Sequence, residues 1–163
     1  MSDHDVQKIA AMIKDLKTAM LTSVDADGKL LARPMSTQDV EFDGDLWFIA
    51  ERDSDQVRAI TARPQVNVSY AGKNTWVSVS GRARVVEDPA RLHEYWNTFT
   101  DLFMEGGPDN PNNILIHIEA DSAEYWGGSD DGAGGRIGQL MHIVRSAVTG
   151  QRAEGRNDTV DLP

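Results

Sequence analysis

Residues 19–50, AMLTSVDADGKLLARPMSTQDVEFDGDLWFIA, alternate β-prone runs with short turn sequences, and this alternation decides the fold. Apolar residues dominate three of the runs, whereas aspartate and glycine stand in the segments between them. Asp-Gly pairs of this kind are typical of tight hairpin turns. The stretch therefore predicts three consecutive antiparallel strands, over residues 19–24, 30–35 and 45–50.

The flanking sequence adds helices and further strands. Apolar residues recur every three or four positions over residues 5–17, which predicts an amphipathic helix. Asp53 or Ser54 can cap a short helix through residues 56–62, and Asp88 can start a helix whose apolar face extends to Phe99. Further strands are predicted over 66–70, over 75–86 with a bulge or bend at Gly81, and over 114–119 and 122–126, as one strand or a pair.

About six strands without a helix between each successive pair favour one fold class over the others. A doubly wound parallel sheet would need regular alternation of strands and helices. The sequence therefore predicts a mainly β domain, built as a six-stranded antiparallel barrel, closed or split, with flanking helices.

The chain of 163 residues has room for one domain. We assign residues 1–149 to it, with a core over 6–126 and an additional helix at about 137–148, where apolar residues again recur at helical spacing. A glycine-rich segment, residues 127–135, separates the core from that helix. Residues 150–163 are polar, and we expect them to be disordered and dispensable for folding.

Charge and composition exclude several classes of function. The formal net charge is −10, and residues 93–134 hold nine acidic residues and no Lys or Arg, so we expect no nucleic-acid partner. The chain has no cysteine, its start lacks the pattern of a secretory signal, and no apolar run reaches the roughly 18 residues of a membrane span. We therefore expect a cytoplasmic protein with no membrane partner.

The residues that usually perform catalysis form no recognisable pattern. The four histidines are scattered singly, without the spacing of metal ligands, and the serines lie in no nucleophile motif. We therefore expect no metal site, and the sequence names no catalytic residue.

Arg33 on the second strand and Ser54 at a helix start form the clearest candidate binding feature. We expect Arg33 to point outward from the barrel, where its guanidinium and the free N–H groups of the helix start can bind a phosphate. Two other interpretations stay open: Arg33 can be an ordinary surface ion-pair partner, and the nearby aromatic residues can belong to the core.

The order of the motifs resembles the pyridoxamine 5′-phosphate oxidase-like family, and within it the general stress protein subgroup of flavin-binding split barrels. The resemblance runs roughly from Val6 to Trp126. It is carried by many short motifs in the same order, including Met20-Leu21-Thr22-Ser23, Arg33-Pro34-Met35, Leu46-Trp47-Phe48-Ile49, residues 64–70, residues 77–83, residues 106–111 and Ala123-Glu124-Tyr125-Trp126.

This resemblance implies a homodimer that holds two molecules of flavin mononucleotide (FMN) in grooves between its subunits. It implies that Arg33 meets the phosphate or ribityl chain, that Ser54 caps the phosphate, and that Trp126 approaches from the partner subunit. Backbone groups of β-strand residues would meet the flavin ring. The full set of cofactor-binding residues that it implies is Arg33, Met35, Ser36, Ile49, Ala50, Ser54, Gln56 and Trp126.

Three positions depart from the oxidases proper. Gln38 stands near the place of a lysine, and Asp55 and Gln56 stand where a basic pair follows the helix-start serine. The arginines that bind the oxidase substrate have no visible counterparts, so pyridoxamine phosphate oxidation itself is not expected. The function implied is that of an FMN-binding oxidoreductase or redox-linked stress protein. The alternative is a non-catalytic barrel whose groove binds a deazaflavin, haem or another small ligand, or stays empty.

Overall fold

A computed structural model of the chain describes residues 3–38, 41–127 and 157–161, which form four helices and seven strands. The helices are α1 (Asp3–Ile13), α2 (Asp55–Ala62), α3 (Pro89–Tyr95) and α4 (Thr98–Asp101). The strands are β1 (Thr18–Val24), β2 (Leu30–Ser36), β3 (Asp45–Glu51), β4 (Gln65–Ala71), β5 (Thr75–Val86), β6 (Asn113–Gly127) and β7 (Asn157–Asp161).

Six of these strands form one antiparallel sheet in the order β2-β1-β4-β5-β6-β3, and β7 lies beside β6, off this path. β2 and β3 stand at the two ends of the order and approach each other. Within the described residues no backbone ladder joins them, so the barrel is split along the gap between β2 and β3. The antiparallel split barrel predicted from the sequence is confirmed.

Apolar side chains that alternate along each strand fill the interior of the sheet. Phe48 of β3 is almost fully buried there, and α1 contributes Ile9 to the same core. A smaller cluster lies on the other face of β3 and β6, where Ile49 and Leu115 pack with Leu92 of α3. The domain therefore has a main core inside the barrel and a second one beneath α3.

β5 and β6 are the longest strands, and the register between them shifts next to Gly81. The shift skips Asp121, which is therefore the additional residue of a β-bulge. A Cβ atom on Gly81 would lie 2.2 Å from the carbonyl oxygen of Glu119, so only glycine fits at this close approach. The bulge predicted at Gly81 is confirmed, and the predicted segments 114–119 and 122–126 belong to one strand.

Two predicted helices have different bounds in the structure. α1 ends at Ile13 rather than at residue 17. The single helix predicted from Asp88 through Phe99 is wrong, because the side chain of Asn97 accepts hydrogen bonds from the backbone N–H groups of Phe99 and Thr100 and thereby starts α4 as a separate helix. Within the described part of the chain, none of the helices has the length and apolarity needed to cross a bilayer.

The polar C-terminal segment also differs from its prediction. Residues 157–161 form β7, which pairs with residues 122–126 of β6 beyond the end of the β3 ladder at Glu119, on the edge opposite β5. The expectation of disorder is wrong for these five residues, because an open strand edge offers backbone hydrogen bonds to an extended segment whatever its side chains. The helix predicted at about 137–148 lies outside the described residues.

Candidate functional site

Arg33 lies on β2, one of the two strands that border the gap of the barrel. Its side chain shares a face of the strand with buried Met35, while Pro34 takes the exposed outward position. Arg33 itself is half-buried, and its Nη1 is enclosed without a hydrogen-bond partner among the described residues. The expectation of an outward Arg33 is therefore wrong, because its register opposite buried Leu21 turns the side chain inward.

Met35 and Ser36, the next predicted residues on β2, differ in exposure. The side chain of Met35 belongs to the main core. Ser36 ends the strand half-buried, and its carbonyl oxygen accepts a 3.4 Å hydrogen bond from Nε2 of Gln38. Since Met35 is committed to the core, it is the backbone of this strand end that can meet a ligand in the gap.

Ile49 and Ala50 are neighbours on β3, so their side chains point to opposite faces. Ile49 packs in the smaller cluster with Leu92 and Leu115, and Ala50 packs in the main core. β3 pairs with β6 along one edge, and its other edge borders the gap toward β2. Both side chains are therefore used in packing, and only backbone groups along that edge of β3 can face a ligand.

Ser54 lies where β3 gives way to α2, close to the gap in sequence. Its Oγ accepts a 3.2 Å hydrogen bond from the backbone N–H of Val57, which confirms the predicted helix cap. A hydroxyl can still donate its own hydrogen while it accepts, so this group remains a possible donor to a phosphate.

Gln56 in the first turn of α2 is buried, and within the residues that the structure describes its Nε2 has no hydrogen-bond partner. The two arginines beside this helix start are already paired. Arg58 forms an ion pair with Asp55, and Arg52 forms one with Glu87. Among the described residues of β2 and α2, the enclosed side-chain donors that lack a partner are Nη1 of Arg33 and Nε2 of Gln56.

Trp126 is not brought to the gap within one chain. It stands opposite Trp76 of β5 and Asn157 of β7, seven residues beyond the last β6 residue that pairs with β3, Glu119. Seven residues of an extended strand span roughly 20 Å. Of the eight predicted residues, those on β2 and β3 lie on the strands that border the gap, Ser54 and Gln56 lie at the start of the helix that follows β3, and Trp126 lies at the far end of β6.

A row of residues across β3, β6 and β5 was missed by sequence reasoning. His117 is buried, with its ring 4.3 Å from that of Trp47. Its Nδ1 accepts a 3.0 Å hydrogen bond from Nε of Arg84, and its Nε2 lies 3.1 Å from a carboxylate oxygen of Asp45. The guanidinium of Arg91 lies over the ring of Trp47, with its Cζ 4.3 Å from the ring centroid. The row packs the outer face of the sheet beneath α3, and no sequence motif could have marked it because its members come from separate strands.

A cleft of about 500 Å³ opens between α1, the end of β2 and the start of β3. Its lining combines apolar residues such as Phe42 with Lys14, Asp45 and Gln38. Tyr70 also borders the cleft, and burial raises the pKa of its hydroxyl above its ordinary value. None of the eight predicted residues belongs to the described lining, although Gln38, the residue noted at a usually basic position, does.

A second cavity, of about 290 Å³, lies between the start of α3 and the loop of residues 105–112. Asn113 borders it with only 4% of its surface exposed. The side-chain Nδ2 of Asn113 donates hydrogen bonds to the carbonyl oxygens of Glu105 and Gly107, at 3.0 and 2.8 Å. Sequence reasoning treated this segment as a plain loop.

Known proteins similar to this chain point to one family. The model of the family described as pyridoxamine 5′-phosphate oxidase-like matches residues 4–154. The chain is 26% identical over 163 residues to protein bli-3 of Neurospora crassa, and the match covers 93% of this chain and 76% of that protein.

Two crystal structures resemble the fold described above. General stress protein 26 of Bacillus anthracis is 27% identical with a TM-score of 0.67, covering 75% of this chain and 93% of that one. The general stress FMN/FAD binding protein of Xanthomonas citri is 27% identical with a TM-score of 0.65, covering 80% of this chain and 93% of that one.

Proposed function

We propose that this chain, which belongs to the pyridoxamine 5′-phosphate oxidase-like family, is a flavin-binding protein that holds FMN at the gap between β2 and β3. Its activity is that of an oxidoreductase or a redox-linked stress protein. The similarity to the Xanthomonas citri FMN/FAD binding protein supports a flavin, and the enclosed donors beside the gap support one that carries phosphate.

The observation that carries this proposal is the buried Nη1 of Arg33. A polar group taken out of water without an acceptor costs about 1–3 kcal/mol, and more when it is charged. A phosphate oxygen toward which this half-buried guanidinium turned would remove that cost through a charge-assisted hydrogen bond. The buried Nε2 of Gln56 has the same requirement for an acceptor. Both donors belong to residues that the family resemblance implies as cofactor-binding, which supports an anionic ligand at the gap.

The residues of this chain would divide the work of holding the cofactor. Arg33 and Gln56 donate to the phosphate or the ribityl chain, and the Ser54 hydroxyl adds a third donor. Backbone groups along the edges of β2 and β3 orient the ring, next to Ser36 and Ala50. A bound flavin supplies the electron-transfer chemistry, while the protein contributes orientation and electrostatics.

The remaining wall of the site would come from a second copy of the chain. Trp126 lies away from the gap of its own subunit, so it would contribute from the partner. The outer face of β1, β4 and β5 carries small half-buried side chains such as Ser69 and Ser78, with Met20 and Trp76 exposed among them. An exposed face of small and apolar side chains suits contact between two copies, and we therefore propose a homodimer.

Titration with FMN and with riboflavin, which lacks the phosphate, tests the assignment of Arg33. In the Arg33→Ala variant the FMN affinity should fall about 10- to 100-fold, since a hydrogen bond to a charged group is worth about 1.5–3 kcal/mol. The riboflavin affinity should stay nearly unchanged. Arg82→Ala, which removes an exposed arginine from β5, is the matched control and should bind FMN like the wild type. Flavin fluorescence quenching measures each affinity, and thermal melting verifies the fold.

The outcomes separate the parts of the proposal. If the wild-type protein binds no flavin saturably, the proposed function is wrong. If Arg33→Ala binds FMN as tightly as the wild type, the role of Arg33 is wrong and the flavin assignment stands on other residues. A monomer in sedimentation at micromolar concentration would remove the dimer and the role of Trp126.

The second candidate function is a non-catalytic barrel that binds a deazaflavin, haem or another small ligand, or binds none. It is favoured by the acidic Asp55 and the neutral Gln38 and Gln56 at positions that are basic in the oxidases. The absorption spectrum of the purified protein separates the two candidates, because bound oxidised flavin absorbs near ~450 nm. A Soret band or a colourless protein that takes up no FMN would favour the second.

A further inference from the structure

We propose that the cleft of about 500 Å³ between α1, the end of β2 and the start of β3 binds a small, uncharged aromatic carbonyl compound. The carbonyl oxygen of this occupant would accept a hydrogen bond from the hydroxyl of Tyr70, and its ring would contact the apolar side chains around that hydroxyl. The described lining contains none of the eight residues predicted to bind the cofactor, so the inference does not rest on the flavin assignment.

Tyr70 supplies a reachable hydrogen-bonding group inside the cleft. Its side chain comes from β4, packs in the main core with only 3% of its surface exposed, and borders the cleft. Its hydroxyl has no hydrogen-bond partner among the described residues and is not one of the fully enclosed polar atoms, so it retains accessible surface. Because the rest of the side chain is packed, that surface faces the cleft. A buried hydroxyl is stabilised by an acceptor for its hydrogen, which the occupant would supply.

The inner wall of the cleft is apolar and largely aromatic. Phe42, Leu46 and Phe48 are buried and line it, together with Ile13 of α1. Aromatic side chains hold a flat ring through edge and face contacts in addition to the burial of apolar surface. A volume of about 500 Å³ lies within the range of small-molecule sites. The wall therefore favours an aromatic occupant that places its oxygen at Tyr70.

The charges at the cleft favour an uncharged occupant. Lys14 of α1 and Glu41 are exposed and have opposite signs, so they do not select a net charge at the mouth. Asp45, the third charged residue of the described lining, already has a carboxylate oxygen 3.1 Å from Nε2 of His117. A charged group that moved inward past them would lose its hydration beside a neutral hydroxyl, and one hydrogen bond does not offset that loss.

Two-dimensional NMR of the full ¹⁵N-labelled chain during titration with acetophenone tests the proposal. We expect saturable shifts in the signals of residues 7–14, 37–38, 41–48 and 70, which surround the cleft. α-Methylstyrene, in which a CH₂ group replaces the carbonyl oxygen, is the matched probe without an acceptor and should bind about three- to tenfold more weakly. Benzoate, which has the same ring with a charged group, should also bind more weakly than acetophenone.

Tyr70→Phe removes the hydroxyl and keeps the ring. It should lower the acetophenone affinity about three- to tenfold and leave the α-methylstyrene affinity unchanged. A change in packing alone would weaken both probes, so the two probes together distinguish the hydrogen bond from a structural effect. Tyr95→Phe, in the smaller cluster beneath α3 and outside the described cleft lining, is the matched control and should bind both probes like the wild type. Thermal melting verifies the fold of each variant.

Four results would overturn the proposal. They are the absence of saturable shifts with acetophenone, shifts that map elsewhere, benzoate binding as tight as that of acetophenone, and equal acetophenone affinities of the wild type and Tyr70→Phe. The last result would mean that water satisfies the hydroxyl.

Repeating the acetophenone titration with FMN at saturation keeps this proposal separate from the flavin assignment. The acetophenone affinity should be unchanged, and competition between the two ligands would place the cleft inside the flavin groove and overturn the separate site. A chain that binds acetophenone but no FMN would contradict the proposed function and leave the cleft assignment intact.

Discussion

The gap of the barrel and the cavity beside the loop each contain a buried polar atom, but the two atoms are opposite in character. Arg33 presents a charged donor from a strand, whereas Asn113 presents a neutral acceptor where the loop enters β6. An arginine inside an apolar strand is conspicuous in the sequence, while an asparagine after a loop rich in Asn, Pro and Gly is ordinary. An unusual residue type can therefore be recognised in the sequence, whereas the unusual burial of an ordinary residue can be recognised only in the structure.

The two regions are also joined by a short polar connection. Asn112, at the end of the loop, donates a 3.0 Å hydrogen bond from Nδ2 to the carboxylate of Asp53, next to the helix cap Ser54. Its carbonyl oxygen accepts a 2.7 Å hydrogen bond from the backbone N–H of Arg52. The loop of residues 105–112 therefore also supports the segment that leads into α2. A substitution in either region can be tested for its effect on the other.

The largest expected effect destabilises the sheet that carries both regions. Gly81→Ala places a Cβ against the carbonyl oxygen of Glu119, and the overlap can be relieved only by moving the backbone of β5 or β6. We expect a loss of about 3 kcal/mol in the free energy of unfolding. Chemical denaturation measures it, and Gly28→Ala in the exposed turn gives a comparison in which the cost comes from the positive φ of +83° rather than from a clash. A wild-type unfolding curve for Gly81→Ala would mean that the bulge is not tight.

The next prediction separates the two buried atoms by what they do for stability. Asn113→Asp puts a carboxylate against the carbonyl oxygens of Glu105 and Gly107 and removes two hydrogen bonds, so it should cost about 2–3 kcal/mol. Arg33→Met replaces an enclosed donor with an apolar side chain and should change the stability of the flavin-free protein by less than about 1 kcal/mol. Urea unfolding of the two variants compares them directly. Equal losses would contradict the view that Asn113 supports the fold while Arg33 is reserved for a ligand.

A smaller effect is expected from the connection between the two regions. Asn112→Ala removes its side-chain hydrogen bonds with Asp53 and should cost about 1 kcal/mol, which corresponds to roughly fivefold in an equilibrium constant. The FMN affinity should fall by up to that factor. Urea unfolding and FMN titration of the same variant measure the two losses. An unchanged FMN affinity would show that the two regions are independent.

The smallest effect is expected at β7. Removal of residues 157–163 deletes a five-residue strand from the edge of β6, far along that strand from the residues that pair with β3. We expect a loss of about 1 kcal/mol, seen as a decrease of about 2–4 °C in the melting temperature, with the FMN affinity unchanged. A truncated chain that fails to fold would mean that β7 is part of the core structure.

Short-range signals explain which parts of the fold were predictable. The turns with Gly28 and Gly44 have the positive φ angles that their Asp-Gly sequences indicate, and the cap at Ser54 forms as its sequence suggests. The helix through Phe99 was predicted from apolar spacing alone, and local hydrogen bonds to Asn97 override that spacing. β7 is decided by an open strand edge elsewhere in the chain, which no local pattern can report.

The candidate site was also predictable only in part: the sequence indicated which elements its residues lie on, but not which contacts they make. Arg33, Ser54 and Gln56 were identified because they lie on elements that the sequence places correctly. The inward direction of Arg33 depends on its register opposite Leu21, and the row that contains His117 depends on the register of three strands. Long-range register is set by the packing of the whole sheet, so these contacts could not be derived from spacing.

The pairing of β6 with β7 places Asn157 directly opposite Trp126, so two residues that are 31 positions apart in the sequence are held side by side. The entropy of closing a loop between two such fixed ends grows only with the logarithm of its length, by about 0.6 kcal/mol for each doubling. A domain inserted between Trp126 and Asn157 is therefore expected to cost the barrel little free energy, since both ends of the insertion would be held side by side by this pairing.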